Sequence, residues 1–226
     1  MRLAELTWPA AGALPPATVL AVPLGATEQH GPHLPLATDT MVALALAERL
    51  AAARPHVCVA PALPYGSSGE HAAFPGTLSI GRDALEHVVV ELARSADGFA
   101  GVVLVSGHGG NAVPLARAVE TLRAEGRRVL AWSPRPEGAD AHAGRSETSL
   151  VLALAPDAVG LSAAAPGDTR PLAEVAPLLR RRGVAAVSAN GVLGDPTGAS
   201  ATEGHRLLEE LVSDLTDAVD RWAAAP

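Results

Sequence analysis

Val19-Leu-Ala-Val-Pro-Leu24 runs directly into Gly25-Ala-Thr-Glu-Gln-His-Gly-Pro-His-Leu-Pro-Leu-Ala-Thr-Asp39. A short continuous apolar run of this kind reads as a buried strand. The Gly/Pro-rich loop that follows carries Glu28, His30 and Asp39. Two carboxylates and an imidazole at the mouth of a buried strand are ligand types that borderline divalent metals accept, among them Zn, Mn, Fe and Co. Glu28 and His30 stand two positions apart, so on an extended backbone both project the same way. The plainer alternative is a solvated polar loop. Metal binding accounts better for these residue types in this place.

Two further clusters share that address. Val102-Val-Leu-Val105 is a second buried-strand signal, and it ends in Ser106-Gly-His-Gly-Gly-Asn111. Glycines on both sides of His108 let the backbone turn sharply and let an ion approach closely. Asp140-Ala-His-Ala-Gly-Arg-Ser-Glu-Thr-Ser149 offers His142 and Glu147 just before the apolar run Leu150-Val-Leu-Ala-Leu154. Taken singly, His108 or His142 reads as a hydrogen-bonded core or cap histidine. Together the clusters lie at strand C-termini or helix N-termini, where open α/β sheets build their ligand sites.

Working outward, strands are expected over Thr18–Pro23, Val57–Pro61, Gly101–Ser106, Arg128–Trp132 and, shortest of all, Val184–Val187. Helices are expected over Asp39–Ala53, capped by Thr38, and over Asp83–Asp97, Ala112–Glu125, Glu147–Ala155, Leu172–Arg181 and Thr202–Ala225. Strands alternating with helices imply a mostly parallel sheet with helices on both faces, an α/β fold. Pro64–Thr77 is a long Gly/Ser/Pro-rich connection, and such loops are usually functional. No internal linker divides residues 1–226, so one domain is expected.

Composition narrows the class. The 226 residues carry a net charge of −7, with 48% apolar, 18% charged and only 3% aromatic residues. The core must therefore be built from Ala, Val and Leu. Nucleic acid is not an expected partner, because no Lys/Arg block appears. The single cysteine, Cys58, lies in the apolar run Val57-Cys-Val-Ala60 and reads as a small buried hydrophobe. No signal peptide and no membrane-length apolar stretch is present, so a cytoplasmic location is expected. Neither a GxGxxG fingerprint nor a P-loop follows a strand, which argues against nucleotide cofactors.

Two divalent ions sharing a carboxylate can polarise a carbonyl and generate a nucleophile at neutral pH. Glu28, His30, Asp39, His108 and Glu147 are the five ligands expected for such a pair, with Zn, Fe or Mn equally suited. His142 is the candidate for donating a proton to a leaving nitrogen. Serine catalysis is disfavoured, because no GxSxG elbow exists and Ser106 starts its glycine turn in the wrong frame.

Glu28-Gln-His-Gly-Pro-His-Leu-Pro35 with Asp39, then Gly107-His-Gly-Gly-Asn111, then His142-Ala-Gly144 with Glu147-Thr-Ser149, resembles the creatininase (creatinine amidohydrolase) family. The resemblance implies a three-layer αβα fold, a dinuclear metal centre at the C-terminal edge of the sheet, hydrolysis of amide C–N bonds and a closed homo-oligomer, usually a hexamer. It also implies that Glu28 and His108 bind one metal, that His30 binds the other and that Asp39 bridges them. Creatininases proper follow the site histidine with a Tyr-Glu pair whose glutamate is a ligand. Gly109 and Gly110 stand there in this chain, and Glu147 is the expected replacement. No match is found near Gly138 for the tryptophans that sandwich creatinine, which argues against creatinine as substrate.

Tyr65-Gly-Ser-Ser-Gly-Glu-His-Ala-Ala-Phe-Pro-Gly-Thr-Leu-Ser79, Ala131-Trp-Ser-Pro134 and Asn190-Gly-Val-Leu-Gly-Asp-Pro-Thr-Gly-Ala-Ser200 resemble the creatininase-family peptidases of mycofactocin systems. That resemblance implies release of a modified C-terminal Val-Tyr dipeptide from a ribosomally made precursor peptide. The rivals are another amidohydrolase of the family, acting on creatinine or on a formamide of flavin or deazaflavin synthesis, and a non-catalytic metal-binding partner. Gln29, His33, Glu70 and His71 are candidates to orient the ligands, with ordinary loop hydrogen bonding as the alternative. Asp195 reads as a turn former.

Overall fold

Strand β1 (Val19–Leu24) lies at the centre of a four-stranded sheet, between β2 (Val57–Val59) and β3 (Gly101–Ser106), with β4 (Val129–Trp132) beyond β3. The computed structural model describes residues 1–134, 138 and 140–225. All three strand pairings are parallel, so every connection must cross over the sheet. After a short α1 (Trp8–Gly12), helices α2 (Thr38–Ala53), α3 (Arg82–Arg94) and α4 (Ala112–Ala124) make these crossings. Helices α5 (Arg145–Leu154), α6 (Leu172–Arg182) and α7 (Ala201–Ala224) follow the last strand.

Successive residues of β1 and β3 serve two separate cores. Val19, Ala21, Val103 and Val105 pack against α2, α5 and α7, together with Leu46, Leu150 and Leu211. Leu20, Val22, Leu24, Val102 and Leu104 face the other way, against α3 and α4, where Leu85 and Leu122 meet them. Both strand faces are dry, which is why the runs are continuously apolar rather than alternating. The result is a three-layer α/β fold. Its chain leaves β1 towards β2 on one side and leaves β3 towards β4 on the other. The C-terminal ends of β1 and β3 therefore flank a switch point, the place where α/β sheets open a crevice.

Two local expectations are corrected. Val184–Val187 is not a strand: Val184–Ala186 forms a 3-10 turn after Gly183, whose φ is 75°. Among the described residues it pairs with no strand, and local bonds from Val187 N and Ser188 N to Val184 O close it instead. Thr38 does not cap α2 from outside. Ala37 holds that position, and Thr38 lies inside the helix with its hydroxyl donating to Pro35 O at 2.7 Å. Helix α7 is capped by Ser200, whose Oγ accepts from Glu203 N. Cys58 is buried in β2 as a free thiol. Among the described residues, no helix is long and apolar enough to cross a membrane.

Helix α5, which carries Glu147, owes its seat to Gly204 on α7. A Cβ at position 204 would lie 1.9 Å from Ser149 O, so the two backbones touch only because no side chain intervenes. Gly204→Ala gains about 1 kcal/mol of helix propensity, yet it must push α5 off α7. A net loss of about 1–3 kcal/mol is expected, the usual cost of overpacking. Urea unfolding measures it, and a stabilised variant would contradict this packing.

Candidate metal centre

The loop leaving β1 is folded so that alternate residues face one point. Glu28 N donates to Leu36 O, and Gly25 lies so close to α2 that a Cβ there would meet Thr40 Oγ1 at 2.2 Å. Glu28 and His30 thereby reach the same buried cluster as Asp39, in the first turn of α2. The loop after β3 presses on that same turn: a Cβ on Gly107 would lie 2.3 Å from Asp39 O. His108 follows and joins the cluster. Asn111 fastens the arrangement, accepting from Ser67 N at 3.0 Å and donating to Gly25 O at 3.1 Å.

His30 Nε2 lies 3.0 Å from Asp39 Oδ1 and 4.0 Å from Glu147 Oε2. His108 spans two carboxylates, with Nδ1 3.2 Å from Asp39 Oδ2 and Nε2 3.2 Å from Glu28 Oε2. His71 Nε2 and His142 Nδ1 approach Glu28 Oε1 at 3.3 and 3.9 Å. Three sets of donor atoms each fall within 4.8 Å of one another: Glu28, Asp39 and His108; His30, Asp39 and Glu147; Glu28, His30 and His142. Asp39 belongs to two of them.

Backbone carbonyls orient three of the imidazoles. His30 Nδ1–H donates to Glu28 O at 3.1 Å, His142 Nε2–H donates to Gln29 O at 2.8 Å, and His108 Nε2–H donates to Ser67 O at 3.0 Å. The other nitrogen of each ring faces the carboxylates, the arrangement in which a ligating histidine is held by its outer partner. Both oxygens of Glu28 and Oδ2 of Asp39 are buried without a properly aligned hydrogen bond. Orphaned buried carboxylate oxygens are costly, and a divalent cation would satisfy them. The residues fit such a cation.

The protonation pattern without a cation points the same way. Burial disfavours the His30 imidazolium, but Asp39 outweighs it and lifts the ring to about 10. Burial likewise opposes charge on His108, and the nearby carboxylates of Asp39 and Glu28 hold its pKa well above the ordinary value. Asp39 is lowered, because His30 and His108 more than offset its burial. Glu147 is raised to about 7, chiefly by burial. His142 lies well below the ordinary value, through burial and then the neighbouring His30 and His71. Protons thus stand where positive charge is needed.

Glu147 is aimed by its own helix start. Asp140 Oδ2 accepts from Arg145 N at 2.6 Å, and Ala143 takes a φ of 52°. That left-handed turn brings Ala143 N within 2.5 Å of Glu147 Oε2. Gly110 contributes no ligand and has no room for one. A Cβ there would meet His108 Nε2 and Ser67 O at 2.3 Å and Glu70 Oε1 at 2.7 Å.

The structure brings Glu28, His30, Asp39, His108, Glu147 and His142 together. Gln29 and His71 touch the cluster, whereas His33 bonds Thr148 at 2.9 Å. Glu70 lies in none of the three donor sets formed by the described residues. Asp195 forms a turn with Thr197. Sequence reasoning missed Asn111 and the Asp168–Leu172 segment. The first was signalled by its place just after the glycine turn. The second has no motif of its own, and it forms one wall of a cavity of about 430 Å³ whose other walls include Asp39, Glu147, Gly107 and Gly109.

The family model described as creatinine amidohydrolase matches residues 4–219. A mycofactocin precursor peptide peptidase of Mycolicibacterium smegmatis is 51% identical over 89% of this chain and 84% of its own length. One from Mycobacterium ulcerans is 47% identical, over 97% of this chain and 88% of its own. Among solved structures, a creatinine amidohydrolase superposes with a TM-score of 0.83 at 31% identity, covering 100% of this chain and 98% of its own. A creatininase mutant of Zn-Zn type gives 0.85 at 30% identity, covering 99% and 98%.

Stripped of metal by a chelator, the protein should lose stability as the pH rises. Folding moves Glu147 from 4.5 to about 7 and His30 from 6.5 to about 10. Both bind a proton more tightly when folded, so their contribution is complete below the unfolded values and is lost through the folded ones. Asp39 has the opposite sign and loses its contribution only in acid, and His71 and His142, both lowered by burial, oppose the loss only up to their unfolded value of 6.5. Urea midpoints between about pH 7 and 10 therefore measure the slope. A flat profile for the stripped protein would contradict these pairings.

Proposed function

The chain belongs to the creatininase family, and from that premise we propose that it is a dinuclear metal-dependent peptidase. Its proposed substrate is a ribosomally made precursor peptide of a mycofactocin system, from which it releases the modified C-terminal Val-Tyr dipeptide. One observation carries the metal half of this reading: Asp39 is shared between the Glu28–His108 and His30–Glu147 donor sets. Asp39 would bridge two ions, with one pair of ligands on either side. Relatives named mycofactocin precursor peptide peptidase support the substrate half.

Two such ions, when bound, polarise the scissile carbonyl and supply a hydroxide nucleophile at neutral pH. The protein's own groups complete the reaction. His142 has its Nε2 proton committed to Gln29 O, which leaves Nδ1 to exchange protons. A buried imidazole that is neutral at rest can take the proton of the attacking water and return it to the departing nitrogen. Gly107, Gly109 and Gly194 line the cavity and leave width for a peptide backbone.

Creatinine is the weaker reading. Trp132 is buried with its indole N–H bonded to Asp214, Trp222 stacks under Arg128, and Trp8 is exposed. None of the three lines the cavity. A non-catalytic metal-binding module would have no use for His142 so oriented. We further propose a closed homo-oligomer, and light scattering of the purified protein reads its mass.

Incubation with the modified precursor, followed by mass spectrometry, tests the substrate. The Val-Tyr-derived fragment and the shortened peptide should both appear, whereas turnover of creatinine alone would overturn the assignment. Asp39→Ala should lose both metals and all activity, and two retained equivalents per chain would remove its bridging role. Glu147→Gln should empty one site while Glu70→Gln keeps both. Metal analysis decides, and full occupancy in the Glu147 variant would assign that position to another ligand.

His142→Asn should keep both metals and slow hydrolysis by about 10²–10⁴-fold, the usual contribution of a general acid or base. Near-normal turnover would eliminate His142 as the proton carrier. Loss of metal would make it a ligand.

A further inference from the structure

Gln29 lies between Glu28 and His30, and its side chain ends in a buried knot of three loops. Gly31 N donates to Oε1 at 2.8 Å, which identifies that atom as the amide oxygen. The amide nitrogen therefore carries two hydrogens, and it finds His71 Nδ1 at 2.8 Å and Gly191 O at 3.1 Å. His142 Nε2 also lies 3.1 Å from this nitrogen. That contact joins two donors, because His142 Nε2 gives its proton to the backbone carbonyl of Gln29 at 2.8 Å. Nδ1 of His71, accepting from the amide, must be unprotonated, so its proton sits on Nε2, 3.3 Å from Glu28 Oε1. Gly191 makes the room: its φ is 81°, and a Cβ there would lie 2.0 Å from Gln29 Oε1.

We propose that Gln29 is a positioning residue that sets the ring tautomers of both His71 and His142. Its side-chain amide makes His71 present an N–H to Glu28, and its backbone carbonyl makes His142 present a bare Nδ1. One residue thus orients a carboxylate of the cluster and the proposed proton carrier together. The effect on metal rests on the dinuclear reading above, whereas the tautomers do not. An outer partner of this kind typically changes metal affinity by about 10–100-fold.

Nitrogen NMR of metal-stripped protein carrying isotope-labelled histidine reads the tautomers directly. His71 should be protonated at Nε2 and bare at Nδ1, with His142 likewise protonated at Nε2. Gln29→Glu offers His71 only acceptor oxygens, so the His71 proton should move to Nδ1. Zn affinity of this variant, by chelator competition, should fall by about 10–100-fold. Gln29→Met should leave His71 as a mixture of tautomers. A wild-type spectrum with the His71 proton on Nδ1 overturns the proposal whether or not the variants fold. So does a Gln29→Glu variant with unchanged tautomer and Zn affinity. Wild-type protein that takes up no Zn, Fe or Mn defeats the dinuclear reading instead, and the spectrum still decides the role of Gln29.

Discussion

The carboxylate of Asp39, buried at the N-terminus of α2 and faced by a different histidine at each oxygen, is the constraint around which this molecule is arranged. A buried charge is tolerable only when compensated, and the compensation comes from two different strand ends. His30 arrives on the loop after β1 and His108 on the loop after β3, so both strands must end at one level and side by side. Their pairing, from Val19 opposite Gly101 to Leu24 opposite Ser106, achieves that. The start of a helix also favours negative charge, through the dipole and unpaired N–H groups of its first turn. Fold and site are one solution to one electrostatic problem.

Around this centre the structure spends glycines where backbones must touch. Gly25 and Gly107 let two loops close on the start of α2, and Gly110 leaves space that His108, Ser67 and Glu70 already fill. The last case gives a steric reason for the chain's departure from the Tyr-Glu pair of creatininases proper. A side chain at 110 would collide with a ring and a carbonyl. Helix α5 places Glu147 across the cluster, with one left-handed alanine before it.

The sheet was legible in the sequence because β1, β2 and β3 are buried on both faces and written as unbroken apolar runs. Glu28, His30, Asp39, His108, His142 and Glu147 were legible as a candidate cluster because all lie in the loops after β1 and β3 or around the starts of α2 and α5, where such side chains have few structural uses. Val184–Val187 misled for a simple reason: β-branched residues favour a strand only where a neighbouring strand exists to pair with. The Asp168–Leu172 wall was illegible because its place depends on long-range backbone bonds, such as Asp168 N to Val192 O, and these have no local pattern. The tautomer lock at Gln29 was likewise hidden, since it needs His71, His142 and Gly191 in one place.

The bond from Gln29 to Gly191 joins residues 162 positions apart. Closing so long a loop is entropically slow to be rewarded, whereas the βα units on either side depend on contacts much nearer in sequence. The order of assembly follows. Sheet and crossing helices can form while the pocket is still open and the Gln29 amide is free to rotate, and the segment around Gly191 docks last. A chain still being synthesised holds most of the clustered carboxylates and histidines but not the strip that fixes this amide. Completion of the pocket is therefore a late event in the life of each molecule, one that marks a finished chain.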